Sequence, residues 1–151
     1  MTLPTGNELV GANQSPAVIK PVDQPDFAIW QSFWDWPPAW QHTPGSIERM
    51  GESRAILAAY EGEQAVGYTI FRPTSGGIIQ LAVAKSHRRR GIAGQLLRTI
   101  REVVGPERPL SMINVDGTAE GTMAFFRAQG FAETVAQYEM VLDLRDVARG
   151  T

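Results

Sequence analysis

The chain has 151 residues, about the size of one compact domain, and its 43% hydrophobic and 20% charged residues are ordinary for a soluble globular protein. It contains no cysteine, which excludes disulfides, thiol nucleophiles and thiolate metal sites, and two histidines, His42 and His87, argue against a histidine-based zinc site. No apolar run approaches the roughly 18–20 residues that span a bilayer, and no secretory signal pattern opens the sequence. We therefore expect a cytoplasmic protein that binds no metal and no membrane.

The charges are unevenly distributed along a chain whose net charge is −2. Between Gln64 and Arg101 there is no acidic residue, while the same stretch holds half of the basic residues. A local cationic field on an otherwise acidic chain favours a discrete anionic ligand over general affinity for nucleic acid. A solvated basic surface would have the same composition. The basic residues concerned are Arg72, Lys85, Arg88, Arg89, Arg90, Arg98 and Arg101.

The N-terminal part of the chain indicates a flexible arm followed by the start of a domain. Residues 1–16 are polar and aperiodic and carry glycine and proline, so we expect an arm there and a single domain over residues 17–151. Aromatic residues then recur at helical spacing up to Pro37. The expected elements are a strand over 17–22, a helix from 23 to 36 and a short helix over 43–52.

The remainder of the chain alternates between strands and helices. Three closely spaced apolar runs, separated by short Gly- and Pro-bearing turns, predict an antiparallel meander. An amphipathic helix follows a basic turn and ends at Gly105-Pro106. These patterns predict one mixed α/β domain. The expected elements are strands over 54–60, 65–71, 78–84 and 110–115, helices over 92–104 and 122–129, and a closing hairpin of 131–134 with 138–144.

The basic turn between the third strand of the meander and the following helix carries the clearest functional signal. An apolar strand runs directly into Arg88-Arg89-Arg90 and then into small residues at the helix start. Backbone N–H groups at a helix start lack intrahelical partners, and the helix dipole adds positive charge there. Arginines add charge-assisted contacts to phosphate oxygens. The segment therefore predicts a phosphate site, although Gly91 as a tight turn and the arginines as a solvated loop explain the parts separately.

The turn and its surroundings resemble the GNAT superfamily of acyl-CoA-dependent N-acetyltransferases. That family's pyrophosphate motif, Arg/Gln-x-x-Gly-x-Gly/Ala, matches residues 88–93, RRRGIA. The segment LAV at 81–83 is similar to the family's fourth strand, AFFRAQGF at 124–131 to its helix ending in Gly-Phe, and YEMVLDL at 138–144 to its final strand. The resemblance implies a mixed, mostly antiparallel sheet of six to seven strands, flanked by about four helices and splayed between the fourth and fifth strands.

The resemblance also implies binding of acetyl-CoA as a cosubstrate. Backbone N–H groups of the turn would hold the pyrophosphate, pantetheine would lie in the gap beside the fourth strand, and the N–H of Leu81 would stabilise the oxyanion of the thioester. A neutral amine would attack the thioester directly. The cofactor-binding residues so implied are Leu81, Ala82, Val83, Arg88, Arg89, Arg90, Gly91, Ile92, Ala93, Gly94 and Phe126.

The sequence departs from the family's pattern at its proton-transfer positions. Phe126 stands where the family often places the tyrosine that protonates the departing thiolate, and Ala119 replaces a frequent asparagine. Tyr138 is the candidate acid, with a core role as the alternative. No carboxylate stands on the fourth strand, so Asp116 is the first candidate base and Glu139 the second. Asp116 equally suits a turn before Gly117, and His42 is a further candidate base.

The acceptor site is less defined by the sequence than the cofactor site. Trp36 and Trp40 flank a proline pair outside any regular stripe and are candidate pocket walls, whereas the preceding aromatic residues at helical spacing are expected in the core. Gln80, polar on an apolar strand, either orients the acceptor or is hydrogen-bonded where the strands split. We expect a small-molecule or peptide amine as acceptor, no nucleic acid, and a monomer or homodimer. A non-catalytic acyl-CoA-binding domain is the alternative, and RNA binding through the arginines is a weaker one.

Overall fold

The fold was analysed in a computed structural model, which describes residues 2–3, 17–34, 54–112 and 120–132. Within these residues, strands and helices follow one another in a mixed α/β arrangement, as expected. The strands are β1 (Thr2–Leu3), β2 (Val18–Pro21), β3 (Ala55–Glu61), β4 (Gln64–Arg72), β5 (Gly77–Val83) and β6 (Leu110–Met112). The helices are α1 (Phe27–Trp30), α2 (Ile92–Val104) and α3 (Glu120–Ala128), with single 3₁₀ turns over Gln31–Phe33 and Lys85–His87.

The strands form one sheet in the order β1-β6-β5-β4-β3-β2. Neighbours are antiparallel from β2 to β5 and between β6 and β1, whereas β5 and β6 run parallel. The antiparallel meander and the mixed sheet are therefore confirmed. The parallel pairing joins the first two residues of β5 to Ser111 and Met112. The predicted splay farther along these strands depends on residues 113–119, which lie outside the described part.

We expected six to seven strands and about four helices. The described residues contain five strands besides the two-residue β1, and three α-helices. Of the predicted strand over 131–134 the structure describes residues 131 and 132, where Ala132 forms a bridge with Thr2. The first helix ends early because Trp34 adopts an extended conformation, with ψ of 138°, and turns its indole toward β4. The short helix at 43–52 and the last strand at 138–144 lie outside the described residues.

Two residues of the expected flexible arm belong to the sheet. Thr2 and Leu3 pair with Ser111 and Leu110, and Thr2 exchanges two backbone hydrogen bonds of 2.9 Å with Ala132. The pairing covers the outer side of β6, and the two bonds to Ala132 satisfy the backbone groups of Thr2 on the side away from β6. The remainder of the arm lies outside the described residues, so the division at residue 17 stays a prediction.

The turn between β4 and β5 depends on a glycine. Gly76 has a φ of +77°, and a Cβ at this position would overlap the carbonyl oxygen of Pro109. Its own carbonyl accepts a hydrogen bond of 3.0 Å from the N–H of Ser111. Both the backbone conformation and the space therefore require glycine, and the contact fixes the start of β5 against β6.

The two faces of the sheet carry different cores. On the face covered by α2 and α3, the core is mainly aliphatic, and α2 contributes the stripe that its amphipathic pattern predicts. On the opposite face, covered by α1, aromatic side chains dominate. The aliphatic core includes Leu57, Val66, Ile78, Ile92, Leu96, Leu97, Ile100, Leu110 and Phe126. The aromatic core includes Phe27, Trp30, Phe33, Ile56, Tyr68, Ile70 and Ile79.

Candidate functional site

The basic turn opens directly onto the first turn of α2. Gly91 is the N-cap residue and has a left-handed backbone, with φ of +81° and ψ of 7°, a conformation that costs other residues energy. The first intrahelical bond runs from the N–H of Gln95 to the oxygen of Gly91, at 3.0 Å. The N–H groups of residues 92–94 precede that bond and have no partner within the helix. Gly91 has no side chain that could cap these donors.

The central arginines of the turn are presented to solvent. Arg89 has a φ of +61°, an uncommon value for a residue with a side chain, and both Arg89 and Arg90 are exposed. Neither makes a hydrogen bond or an ion pair with any residue that the structure describes. Two cationic side chains thus lie beside a helix N-terminus, an arrangement that suits an anion.

Arg88 has a different role from its two neighbours. Its Nη2 donates to the carbonyl oxygen of Phe33 at 3.0 Å, and its Nε donates to that of Val83 at 3.3 Å. The guanidinium therefore ties the turn to the end of β5 and to the segment that follows α1. Our sequence analysis grouped the three arginines as phosphate contacts, because a pattern of consecutive residues does not reveal which side chain folds back.

The predicted pantetheine strand is β5. Leu81, Ala82 and Val83 are half-buried and lie opposite Thr69, Tyr68 and Gly67 of β4. The side chains of Leu81 and Val83 pack on the aliphatic face, whereas Ala82 packs on the aromatic face. Space at Gly67 is tight, because a Cβ would lie 3.1 Å from the Ile92 side chain and 3.2 Å from the oxygen of Ala82. The start of α2 therefore packs closely against β4.

A β-bulge precedes these residues and reorients Gln80. Ile70 pairs with Gln80 while Phe71 pairs with Ile78, so Ile79 has no opposite residue. As a result Ile79 and Gln80 both lie on the aromatic face, where strict alternation would place Gln80 on the aliphatic face. Periodicity alone does not predict this bulge.

Gln80 belongs to a chain of buried hydrogen bonds. The indole Nε1 of Trp34 donates to the hydroxyl of Tyr68 at 2.5 Å, and that hydroxyl donates to Oε1 of Gln80 at 2.6 Å. Thr69 donates to the backbone oxygen of Gln80 at 2.8 Å. Gln80 is only 7% exposed, so these bonds fix its carboxamide in one orientation. The sequence prediction of a hydrogen-bonded Gln80 agrees with this geometry, and an acceptor-orienting role stays a prediction.

Tyr68 is the residue that our sequence analysis missed. Its side chain is fully buried, stacked on Trp30 with ring centroids 4.2 Å apart, and burial raises the pKa of its hydroxyl far above the ordinary value near 10. The hydrogen bond from Trp34 opposes this shift only in part. The sequence did contain a signal for this contact. A tyrosine and a glutamine on neighbouring apolar strands each need a hydrogen-bond partner when buried, and each can serve as the partner of the other.

Phe126 of α3 lies inside the aliphatic core. It is 2% exposed and meets Phe125 and Phe131 edge-on, with centroid distances of 5.3 and 5.2 Å. Within the described residues its surroundings are those of a packing residue, and contact with a cofactor stays a prediction. Gln129 at the end of α3 lies close to Gly94, which joins α3 to the start of α2.

Several predicted site residues lie outside the part of the chain that the structure describes. They are the candidate bases His42, Asp116 and Glu139, the candidate acid Tyr138, and the proposed acceptor-wall residues Trp36 and Trp40. In residues 2–3, 17–34, 54–112 and 120–132, no cluster of three or more His, Asp or Glu side chains could hold a metal ion. None of the described helices is long and apolar enough to cross a bilayer.

Solved structures with the same fold include several acetyltransferases. AAC(6')-Iy, solved with the bisubstrate analogue CoA-S-monomethyl-acetylneamine, has a TM-score of 0.61 at 17% identity, covering 85% of this chain and 100% of its own. The ribosomal-protein-S18-alanine N-acetyltransferase from Escherichia coli has a TM-score of 0.63 at 16% identity and 79% coverage of each chain. An aminoglycoside acetyltransferase from an uncultured soil metagenomic sample has a TM-score of 0.59 at 20% identity, covering 84% of this chain and 99% of its own.

Family membership rests on a direct sequence match. No curated protein matches the chain significantly. The model of the acetyltransferase (GNAT) family, however, matches residues 25–131, well over half of the sequence. This range includes the meander, the bulge on β5, the basic turn and α2 through to Phe131. The chain therefore belongs to the GNAT acetyltransferase family.

Proposed function

We propose that the chain transfers an acetyl group from acetyl-CoA to a primary amine of a small molecule or peptide. The observation that carries this proposal is the start of α2, where a left-handed Gly91 opens the helix end and Arg89 and Arg90 lie exposed beside it. The pyrophosphate of CoA is dianionic, and backbone N–H groups, the helix dipole and two guanidinium groups suit that charge. Arg88 holds the turn in place, as its bonds to Phe33 and Val83 indicate.

The reaction needs little covalent chemistry from the protein. The neutral amine attacks the thioester carbonyl carbon, and the carbonyl oxygen becomes an oxyanion. The nitrogen gives up a proton to the general base, the carbonyl forms again, and the C–S bond breaks to release CoA as the thiolate. We assign the oxyanion contact to the backbone N–H of Leu81, and one such donor contributes about 2.7–4 kcal/mol to the transition state. Gln80, two residues past the start of the bulge, is our candidate for orienting the acceptor. A thiol with a pKa near 8.5 leaves as thiolate at little cost, so Phe126 in the acid position is compatible with turnover.

Tyr68 does not supply the general base. Its raised pKa keeps the hydroxyl protonated at neutral pH, and its proton is already donated to Gln80. We propose that the base is another residue, acting directly or through ordered water, with Asp116 and Glu139 as candidates and Tyr138 as candidate acid. Trp36 and Trp40 remain the proposed acceptor walls. The structural neighbours include enzymes for aminoglycosides and for a ribosomal protein, which supports both acceptor classes without choosing one.

Thermal unfolding with acetyl-CoA, CoA and ATP tests the cofactor site. A ligand at 100 times its dissociation constant stabilises a protein by about 2.7 kcal/mol. We expect acetyl-CoA and CoA, but not ATP, to raise the melting temperature, and Gly91→Glu to abolish the shift through strain and negative charge at the helix end. Gly105→Glu is the matched control, since Gly105 also has a positive φ, ends the same helix and has open space around it. Absence of any shift at millimolar acetyl-CoA in a folded sample would refute the proposal.

The alternative function is a non-catalytic acyl-CoA-binding domain. The packing of Phe126 in the core, with no hydroxyl in the family's acid position, favours it. Release of free CoA from acetyl-CoA in the presence of an amine panel distinguishes the two functions. For an enzyme, Asp116→Asn or Glu139→Gln is expected to lower turnover while leaving CoA binding unchanged. Binding without turnover across the panel would favour the alternative.

A further inference from the structure

The residues just before the basic turn are fixed to the β3–β4 hairpin by side chains. Nε2 of His87 lies 2.6 Å from Oε2 of Glu61, the last residue of β3. Nδ1 of the same ring lies 2.7 Å from the hydroxyl oxygen of Ser86. The His87 and Glu61 side chains are only 15% and 27% exposed, so the contact is partly shielded from water. Both ring nitrogens are engaged, which holds the imidazole in one orientation.

Backbone bonds join the same segment to the sheet. The N–H of Ala84 donates to the oxygen of Val66 at 2.8 Å, and the N–H of His87 donates to the oxygen of Ala84 at 2.8 Å. Arg88 adds its bonds to Phe33 and Val83. Anchoring therefore continues up to Arg88 and ends there, because Arg89 and Arg90 contact no described polar partner.

The anchored segment sets where the free part of the turn lies. Only two residues separate Arg88 from Gly91, so the position of residue 88 limits the path of residues 89–91 to the helix. Such restriction lowers the ordering cost that a ligand meets on binding. Loss of the Glu61 contact would release one side of the anchor while leaving the helix end itself intact.

We propose that Glu61 and His87 are positioning residues that hold the basic turn in the conformation that binds the pyrophosphate of CoA. The inference rests on the proposed function, and it adds a role for the β3–β4 hairpin, whose residue Glu61 lies 26 positions before His87 in the sequence. Neither residue touches the cofactor in this proposal. Each acts through the position of residues 88–91.

Calorimetric titration of the full chain with CoA and with pantetheine, which lacks the pyrophosphate, tests the proposal. We expect Glu61→Ala and His87→Ala each to weaken CoA binding about fivefold, and the double variant to weaken it no further, because residues in contact show coupled effects. Pantetheine affinity is expected to stay unchanged in all three variants. Glu61→Gln keeps an oxygen that accepts from Nε2 and is expected to restore most of the CoA affinity.

Charge provides an internal check on this result. Removal of a carboxylate near an anionic ligand strengthens binding by itself, so weaker binding by Glu61→Ala requires another cause. Glu63→Ala removes the same charge from the same hairpin turn, where Glu63 is exposed, and is the matched control. We expect this control to retain CoA affinity within about twofold, as is usual for exposed sites.

The outcomes separate the inference from the proposed function. Wild-type protein that binds CoA, with equal affinity in Glu61→Ala and His87→Ala, would overturn the positioning role alone. An equal loss of pantetheine and CoA affinity would also overturn it, since a general destabilisation then explains the effect. A wild-type chain that binds no CoA would overturn both the proposed function and this inference.

Discussion

The two faces of the sheet are held by different kinds of interaction. On the aliphatic face, the buried side chains of α2 and α3 contribute mainly by removing apolar surface from water. On the aromatic face, the ring of Tyr68 packs in the core while its hydroxyl forms hydrogen bonds with both Trp34 and Gln80. The first face tolerates changes of shape that preserve volume, whereas the second also requires particular polar atoms. Helix α2, which follows the basic turn, is therefore held mainly by apolar packing, whereas the position of Gln80 depends on specific hydrogen-bond partners.

The largest expected effect comes from the aliphatic face. Leu96→Ala removes a side chain with no solvent exposure from the inner stripe of α2, and we expect a loss of about 2–5 kcal/mol in the free energy of unfolding. Val103→Ala on the same helix, at a side chain 52% exposed, is the matched control with an expected change below about 0.5 kcal/mol. Urea denaturation measures both. Equal losses would mean that α2 does not pack as described.

A smaller effect is expected from one oxygen atom on the aromatic face. Tyr68→Phe keeps the ring stacked on Trp30 but leaves the Trp34 N–H and the Gln80 carbonyl without their partner, at a cost of about 1–3 kcal/mol. Tyr60→Phe is the control, because Tyr60 is partly exposed and Lys20 lies over its ring, which the change preserves. Chemical denaturation of both variants would show whether the polar chain contributes. An unchanged free energy of unfolding in Tyr68→Phe would mean that the polar chain adds nothing to the packing of the aromatic face.

The pH dependence of stability sharpens the same contrast. Burial raises the pKa of Tyr68 in the folded chain above its unfolded value near 10, so the folded state retains a proton that the unfolded state loses. The contribution of protonated Tyr68 to the free energy of unfolding is therefore complete below pH 10. It is lost as the pH rises above 10 toward the pKa of the folded state. We expect wild type to lose stability more steeply than Tyr68→Phe above pH 10. Denaturant midpoints between pH 8 and pH 11 measure the difference, and parallel curves would contradict it.

The fold was largely predictable from periodicity. The stripe of α2, the hairpins of the meander and the Gly-Phe end of α3 follow from local patterns, and the order of β3, β4 and β5 in the sheet agrees with them. The early end of the first helix was not predictable, because Trp34 leaves helical geometry for a contact with Tyr68, which lies 34 residues away. Local spacing carries no information about a partner at that distance.

The candidate site was predictable where it is built from consecutive residues. The basic turn, with Gly91 at the helix start, is such a case. The bulge at Ile79, the return of Arg88 to Phe33 and the contact of His87 with Glu61 were not, since each depends on how separate strands and turns align. To predict these contacts one must know the register of the sheet. Hydrophobic alternation does not reveal that register beyond a bulge, because a bulge shifts the pairing by one residue.

The bond from Arg88 to the carbonyl of Phe33 has a spectroscopic consequence. Trp34 follows Phe33 directly, so the guanidinium holds the backbone beside an indole whose N–H is itself bonded to Tyr68. Indole emission responds to hydrogen bonding and to nearby charge. A ligand that shifts Arg88 therefore changes the optical environment of Trp34 without entering its pocket. Trp34 contributes to the native fluorescence with three other tryptophans, so we expect this fluorescence to report events at the turn without a label and before an acceptor amine is identified.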